Sequence, residues 1–131
     1  MKLLLDTHIL LWRLAGSDRL SADALALIDQ QASAIYASTA SVWEVAIKWS
    51  LRKGTPDDMP LSGHAFAAAL KDTGIEILPI TPDHAAAVDD LPTIHRDPFD
   101  RLLIATAKFE QLRLVTRDSQ LEAYGEAVLL V

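Results

Sequence analysis

Short apolar runs alternate along this chain with amphipathic stretches, and polar turns cut both. Lys2-Leu3-Leu4-Leu5, stopped by Asp6-Thr7, predicts a buried strand leading into a helix over His8 to Leu14 that Gly16 ends. Ser21 stands where it would cap a second helix, Ala22 to Gln31, apolar at Leu25, Leu27 and Ile28. Ala34-Ile35-Tyr36-Ala37 predicts a second strand, followed by the turn Ser38-Thr39. Val42, Val45, Ala46 and Trp49 recur at near-helical spacing and predict a helix over Ala40 to Lys53, terminated at Gly54. Thr55 to Pro60 reads as a loop, and Leu61 to Asp72 as an Ala-rich helix stopped at Gly74. A third strand follows at Ile75 to Ile80, then a short helix from Pro82 to Asp90 and an irregular approach from Leu91 to Arg96. Leu112 to Val115 is a fourth strand, Ser119 to Tyr124 a short helix, and Val128 to Val131 a final edge strand. Short apolar strands alternating with helices predict an α/β fold whose parallel sheet is covered on both faces. No linker, repeat or low-complexity tract interrupts it, so one domain over residues 1–131 is expected.

One helix start breaks the expected pattern. In His95-Arg96-Asp97-Pro98-Phe99-Asp100, Asp97 is a good N-cap and Pro98 suits the first helical position, where no N–H is needed. From Asp100, the apolar Leu103, Ile104 and Ala107 follow at i+3, i+4 and i+7, which sets Asp100 on the buried stripe. A carboxylate there is costly unless it is paired, solvated in a cleft or bound to a cation.

Composition narrows the chemistry. Half the residues are hydrophobic and 23% charged, as in a soluble globular protein, and the absence of cysteine removes disulfides and thiolate metal sites. Three leucines between Lys2 and Asp6 are too few for a signal-peptide core, and no run reaches membrane-spanning length, so a cytoplasmic setting without membrane attachment is expected. The net charge of −6 argues against a polyanionic partner only until the acids are located. If four of them gather in one metal site, the rest of the surface is near neutral.

Four acids are so disposed. Ligands of parallel α/β sheets bind outside the carboxyl ends of the strands. Asp6 follows the first strand and Asp118 the fourth, Glu44 falls early in the helix after the second, and Asp100 opens the helix before the fourth. Carboxylates brought together repel unless a cation joins them, and oxygen ligands suit Mg²⁺ or Mn²⁺. Each acid also has a plainer reading: Asp6 and Asp118 as helix caps, Glu44 as the i,i+4 partner of Lys48. Those readings leave the inward Asp100 unexplained.

The stretches Leu4-Leu5-Asp6-Thr7, Ser38-Thr39-Ala40-Ser41-Val42-Trp43-Glu44, His95 through Ala105 and Leu114-Val115-Thr116-Arg117-Asp118 resemble, in order and spacing across the chain, PIN domains of the VapC toxin type. The resemblance implies a three-layer fold with strand order 3-2-1-4-5 and an Mg²⁺-dependent endoribonuclease held in check by a cognate antitoxin. It implies catalytic positions at Asp6, Glu44, Asp100 and Asp118, with Asp6, Asp100 and Asp118 toward the metal. Thr7 and Thr116 match small hydroxyl residues beside the site, or serve as cap and turn residues. RNA would be cut by metal-activated water to leave a 5′-phosphate and a 3′-hydroxyl, and homodimers are the family's tendency.

Lys48 and Arg52, read as sharing the Glu44 face, and Arg101 and Arg117, beside two of the acids, are candidates for holding the RNA backbone or for neutralising those acids. The spacings of His8, His84 and His95 suit no histidine-based metal site, which leaves them structural roles. The first helix is apolar nearly all round, Trp12 included, and suggests a partner surface; Trp43 and Trp49 suit core or homodimer contacts better than RNA stacking. Two other classes compete: a Mg²⁺-dependent receiver-like phosphotransfer domain and a non-catalytic acidic interaction module. The first needs an acceptor aspartate after the third strand, where Pro79-Ile80-Thr81 stands.

Overall fold

The three leucines of the first strand explain the layering. In the computed structural model, which describes residues 1–131, β1 (Lys2–Leu5) has Leu3, Leu4 and Leu5 fully buried. Side chains alternate across a strand, so Leu3 and Leu5 enter one core and Leu4 the other. The first core is completed by α1 (Thr7–Ala15), α2 (Ala22–Ala26, continued by a wide π turn over Leu27–Gln31) and α4 (Gly63–Asp72). The second is dominated by α6 (Pro98–Glu110), which contributes Leu103, Ile104, Ala105 and Ala107. Between these helices lie β2 (Ala34–Ser38), α3 (Thr39–Ser50), β3 (Glu76–Leu78) and α5 (Pro82–Ala86, ending in a 3₁₀ turn over Ala87–Asp90). The chain closes with β4 (Arg113–Thr116), a 3₁₀ turn over Ser119–Tyr124 and β5 (Val128–Leu130).

All four strand pairings are parallel, in the order β3-β2-β1-β4-β5. This is the three-layer architecture and strand order that the sequence implied. It differs from the 2-1-3-4-5 order of flavodoxin-like receivers, so that competing reading loses its scaffold. The chain runs outward from β1 to β3, then crosses back to β4 on the other side of β1. The direction of winding therefore reverses between β1 and β4, and the crevice such sheets use for ligands opens beyond their carboxyl ends.

Several boundaries move from those predicted. α3 ends at Ser50 rather than Lys53, which takes Arg52 off the helix. α4 begins at Gly63, capped by Ser62 Oγ on the Ala65 N–H, because α3 presses close there: a Cβ on Gly63 would lie 2.7 Å from the Ala46 Cβ. α6 stops at Gln111, which takes the left-handed conformation (φ 58°) without being glycine. No helix is long and apolar enough to cross a membrane.

Candidate active site

Asp6 and Asp118 reach the crevice because β1 and β4 are hydrogen-bonded neighbours in register, Leu5 opposite Val115. The Asp6 N–H donates to the Val115 carbonyl at 3.0 Å, extending the ladder one residue past the strand. Asp6 occupies the N-cap position of α1 but makes no side-chain cap. Its Oδ2 instead accepts the Thr116 hydroxyl at 2.7 Å, in a setting only 7% exposed. Burial pushes its carboxyl above the ordinary aspartate value, against the Thr116 hydrogen bond, the longer-range pull of His8 and the Thr7 N–H, and Glu44 adds to the rise.

Glu44 comes from the second turn of α3 and is equally buried. Oε1 lies 2.6 Å from the Thr7 hydroxyl, which also lies 2.9 Å from the Ser41 hydroxyl, and Oε2 accepts from Lys48 Nζ at 2.7 Å. Both carboxylate oxygens are thus occupied. Burial alone would lower the Lys48 ammonium; its hydrogen bond and charge attraction to Glu44, with Asp97 and Asp100 behind, hold it above its usual value.

The two aspartates of the α6 start divide their work. Asp97 Oδ1 accepts from the Phe99 N–H at 2.8 Å and the Asp100 N–H at 3.3 Å, so it caps the helix. Asp100, two residues inside, turns toward the crevice, where its Oδ2 lies 2.8 Å from His95 Nε2. Desolvation, together with the charges of Asp6 and Asp97, pushes its carboxyl up to about 7 despite the His95 contact. Asp118 caps the 3₁₀ turn through the Gln120 N–H at 2.9 Å, yet its carboxylate also faces the same space. One donor atom each from His95, Asp100 and Asp118 falls within 4.8 Å of the others. A cavity of about 840 Å³ lies elsewhere, at the end of the sheet near Leu112, Arg113 and Ala127.

This donor set fits a divalent ion. Asp6 and Asp100 are raised and have no lysine or arginine salt bridge, which is the condition a cation relieves. Of the proposed metal residues, Asp100 and Asp118 lie in the tight cluster with His95, while Asp6 adjoins it and acts on Asp100 through charge.

The basic residues scatter. Lys48 lies beside the acids, 45% exposed, but Arg52 does not share its face: beyond the helix end its guanidinium lies 3.4 Å from the Trp49 ring centroid and bonds the Trp49 carbonyl. Arg101 is spent inside the protein, donating to the Pro92 carbonyl at 3.1 Å and, at 3.4 Å, to the Val88 and His95 carbonyls and the Tyr124 hydroxyl. Arg117 is exposed, bonds the Arg19 carbonyl and sits 5.8 Å from the Trp12 ring. Trp43 is not a core residue; it is 59% exposed and packs edge-on against Phe99 with centroids 5.3 Å apart. His84 has the structural role expected of it, fully buried, with Nδ1 accepting the Thr81 N–H and Nε2 2.6 Å from Glu110. His95 instead hydrogen-bonds Asp100 within the acidic cluster, a place its spacing did not suggest. The one sequence signal for it was its place five residues ahead of Asp100, across a helix start that no helical periodicity could span.

A PIN domain family model matches residues 3–127 of the chain. No curated protein matches. Among solved structures, the chain is similar to VapBC2 from Rickettsia felis bound to a promoter DNA fragment (17% identity, TM-score 0.69, covering 100% of this chain and 98% of that one). It is also similar to FitAcB from Neisseria gonorrhoeae (21%, 0.65, 97% and 96%) and to a toxin–antitoxin complex from Klebsiella pneumoniae (22%, 0.63, 96% and 94%). At these identities the likeness carries the fold.

Proposed function

The chain belongs to the PIN domain family, and from that premise we propose that it is a metal-dependent endoribonuclease, the toxin of a VapC-type toxin–antitoxin pair. PIN domains are in general nucleases. The observation that carries the reading is the pair Asp6 and Asp100: two carboxyls held above their ordinary values at the sheet's switch point, with no lysine or arginine bridging them.

Asp6, Asp100 and Asp118 would hold Mg²⁺ or Mn²⁺, which when bound supplies positive charge to a phosphate and acidity to a water molecule. Thr116 aims Asp6 by donating to Oδ2, and it accepts the Asp118 N–H at 3.1 Å, so one hydroxyl fixes the acids that follow β1 and β4. Thr7 and Lys48 fix Glu44 as a placed negative charge on the α3 side of the crevice. Water adds to the phosphorus, the bond to the 3′-oxygen breaks, and that oxygen leaves with a proton, giving a 5′-phosphate and a 3′-hydroxyl. Lys48, beside the acids, remains the first candidate for the RNA backbone; Arg52, Arg101 and Arg117 each already donate to a backbone carbonyl.

The antitoxin reading is supported by a groove of about 700 Å³ along α1, where Leu11 and Trp12 face Lys48, Lys53 and the Thr55–Pro60 loop. One of the structurally similar proteins named above is a toxin–antitoxin complex, and another is VapBC2 bound to promoter DNA. A second copy of the chain would find its contact at the exposed Trp43, which packs on the half-buried Phe99. End-labelled RNA incubated with antitoxin-free protein tests the proposal. Cleavage to 5′-phosphate products is expected with Mg²⁺ or Mn²⁺ and none in EDTA; cleavage unaffected by chelation, or absent with both ions, would overturn it.

A further inference from the structure

His84 and His95 are treated differently by the fold. Both ring nitrogens of His84 have protein partners and the residue is fully buried. The His95 ring is 16% exposed, has Asp100 as its hydrogen-bond partner, and faces the carboxylate crevice. It is held by its backbone rather than its ring: the His95 N–H donates to the Tyr124 hydroxyl at 2.9 Å, and its carbonyl accepts from Arg101 at 3.4 Å. Tyr124 is 4% exposed and Arg101 also grips the Pro92 carbonyl at 3.1 Å, so the Leu91–Arg96 segment is a built support that presents the imidazole to Asp100.

The His95–Asp100 separation is one that two ligands of a single ion keep, and Asp118 lies close by. Two donors on adjacent octahedral positions, each about 2.1 Å from the metal, lie about 3 Å apart. His95 Nε2 and Asp100 Oδ2 are 2.8 Å apart, and an Asp118 oxygen is within 4.8 Å of both. We propose that His95 is a direct ligand of the divalent ion, making this a mixed nitrogen–oxygen centre rather than an all-carboxylate one. The proposal rests on the metal-dependent reading above. Imidazole favours transition ions, so the site prefers Mn²⁺ over Mg²⁺ more strongly than carboxylates alone would make it.

The test is electron spin-echo spectroscopy of Mn²⁺ bound to the full chain, with binding titrations of Mn²⁺ and competition by Mg²⁺. The wild type should show ¹⁴N coupling from a ligated imidazole. His95→Gln, which keeps an N–H for Asp100 but offers no imidazole, should lose the coupling and bind Mn²⁺ about tenfold or more weakly, with Mg²⁺ affected less. Thermal unfolding of the variant checks that it folds, and the wild-type spectrum needs no variant. Bound Mn²⁺ without nitrogen coupling, coupling that survives His95→Gln, or full Mn²⁺ affinity in that variant would overturn the proposal and leave the carboxylate site standing. A wild type that binds no Mn²⁺ at all would overturn both.

Discussion

Glu44 and Asp6 are both buried, 5% and 7% exposed, and each meets a threonine hydroxyl, from Thr7 in one case and Thr116 in the other. They differ in what neutralises them. Lys48, one helical turn along α3, closes on Glu44 at 2.7 Å, so that charge is balanced within the protein. Asp6 has no salt bridge, and its neighbour Asp100 is an acid held up at about 7. The first arrangement is complete as a structural ion pair; the second is the one a bound cation would complete. On the proposed reading, the metal-holding half of the crevice is the β1–β4–α6 side, and Glu44 with Lys48 forms its wall.

The comparison breaks most decisively at the uncompensated side. Asp6→Asn or Asp100→Asn should cut metal-dependent RNA cleavage by about 10³-fold, measured as initial rates on labelled RNA, because the ion that would stabilise the phosphate loses a carboxylate that holds it. Either substitution should leave the metal-free protein as stable as the wild type or more so, by urea unfolding, since it removes like-charge repulsion. Thr116→Val strips Asp6 of its hydrogen bond and should cost about 1–3 kcal/mol in the same assay. Lys48→Met leaves Glu44 buried without its cation. A fully buried pair broken this way loses about 3–5 kcal/mol, but Lys48 is 45% exposed and water screens it, so about 1–2 kcal/mol is expected. The smallest effect belongs to Asp97→Ala, a lost helix cap of about 1 kcal/mol, with cleavage changed only a few-fold.

Acidity sharpens the same contrast. The Asp100 carboxyl sits at about 7 in the folded protein against 3.8 for the free group, so between those values the native state holds a proton that the unfolded chain has released. In EDTA, stability contributed by Asp100 should be present below pH 3.8 and fall as the pH rises toward about 7. Divalent ions should flatten that slope, because they favour the ionised form that the empty crevice penalises.

Much of this arrangement was legible in the sequence because it depends on local rules. Leu3-Leu4-Leu5 had to be a strand buried on both faces, and Asp97-Pro98 had to start a helix. The inward stripe from Asp100 announced a carboxylate in need of explanation. What escaped was set by contacts distant in sequence. Arg101 looked like a free cation beside an acid, but Tyr124 and the carbonyls of the preceding loop claim it. Arg52 seemed to share a face with Glu44 only while α3 was extended to Lys53; ending at Ser50 sends it over Trp49. Trp43 reads as either a core or a homodimer contact, and only its outward place beside Phe99 removes the core reading. His95 lies in an irregular segment where no periodicity operates, and only the fold of residues 91–101 around Tyr124 brings its ring to Asp100.

The central claim, that the β1–β4–α6 side of the crevice holds a divalent ion while the Glu44–Lys48 side does not, is tested most directly by calorimetric titration of Mn²⁺ into three proteins at neutral pH. The wild type should bind, Asp100→Asn should lose binding, and Lys48→Met should bind at least as tightly as the wild type. Equal binding by wild type and Asp100→Asn, or loss of binding in Lys48→Met with Asp100 intact and the protein folded, would contradict it.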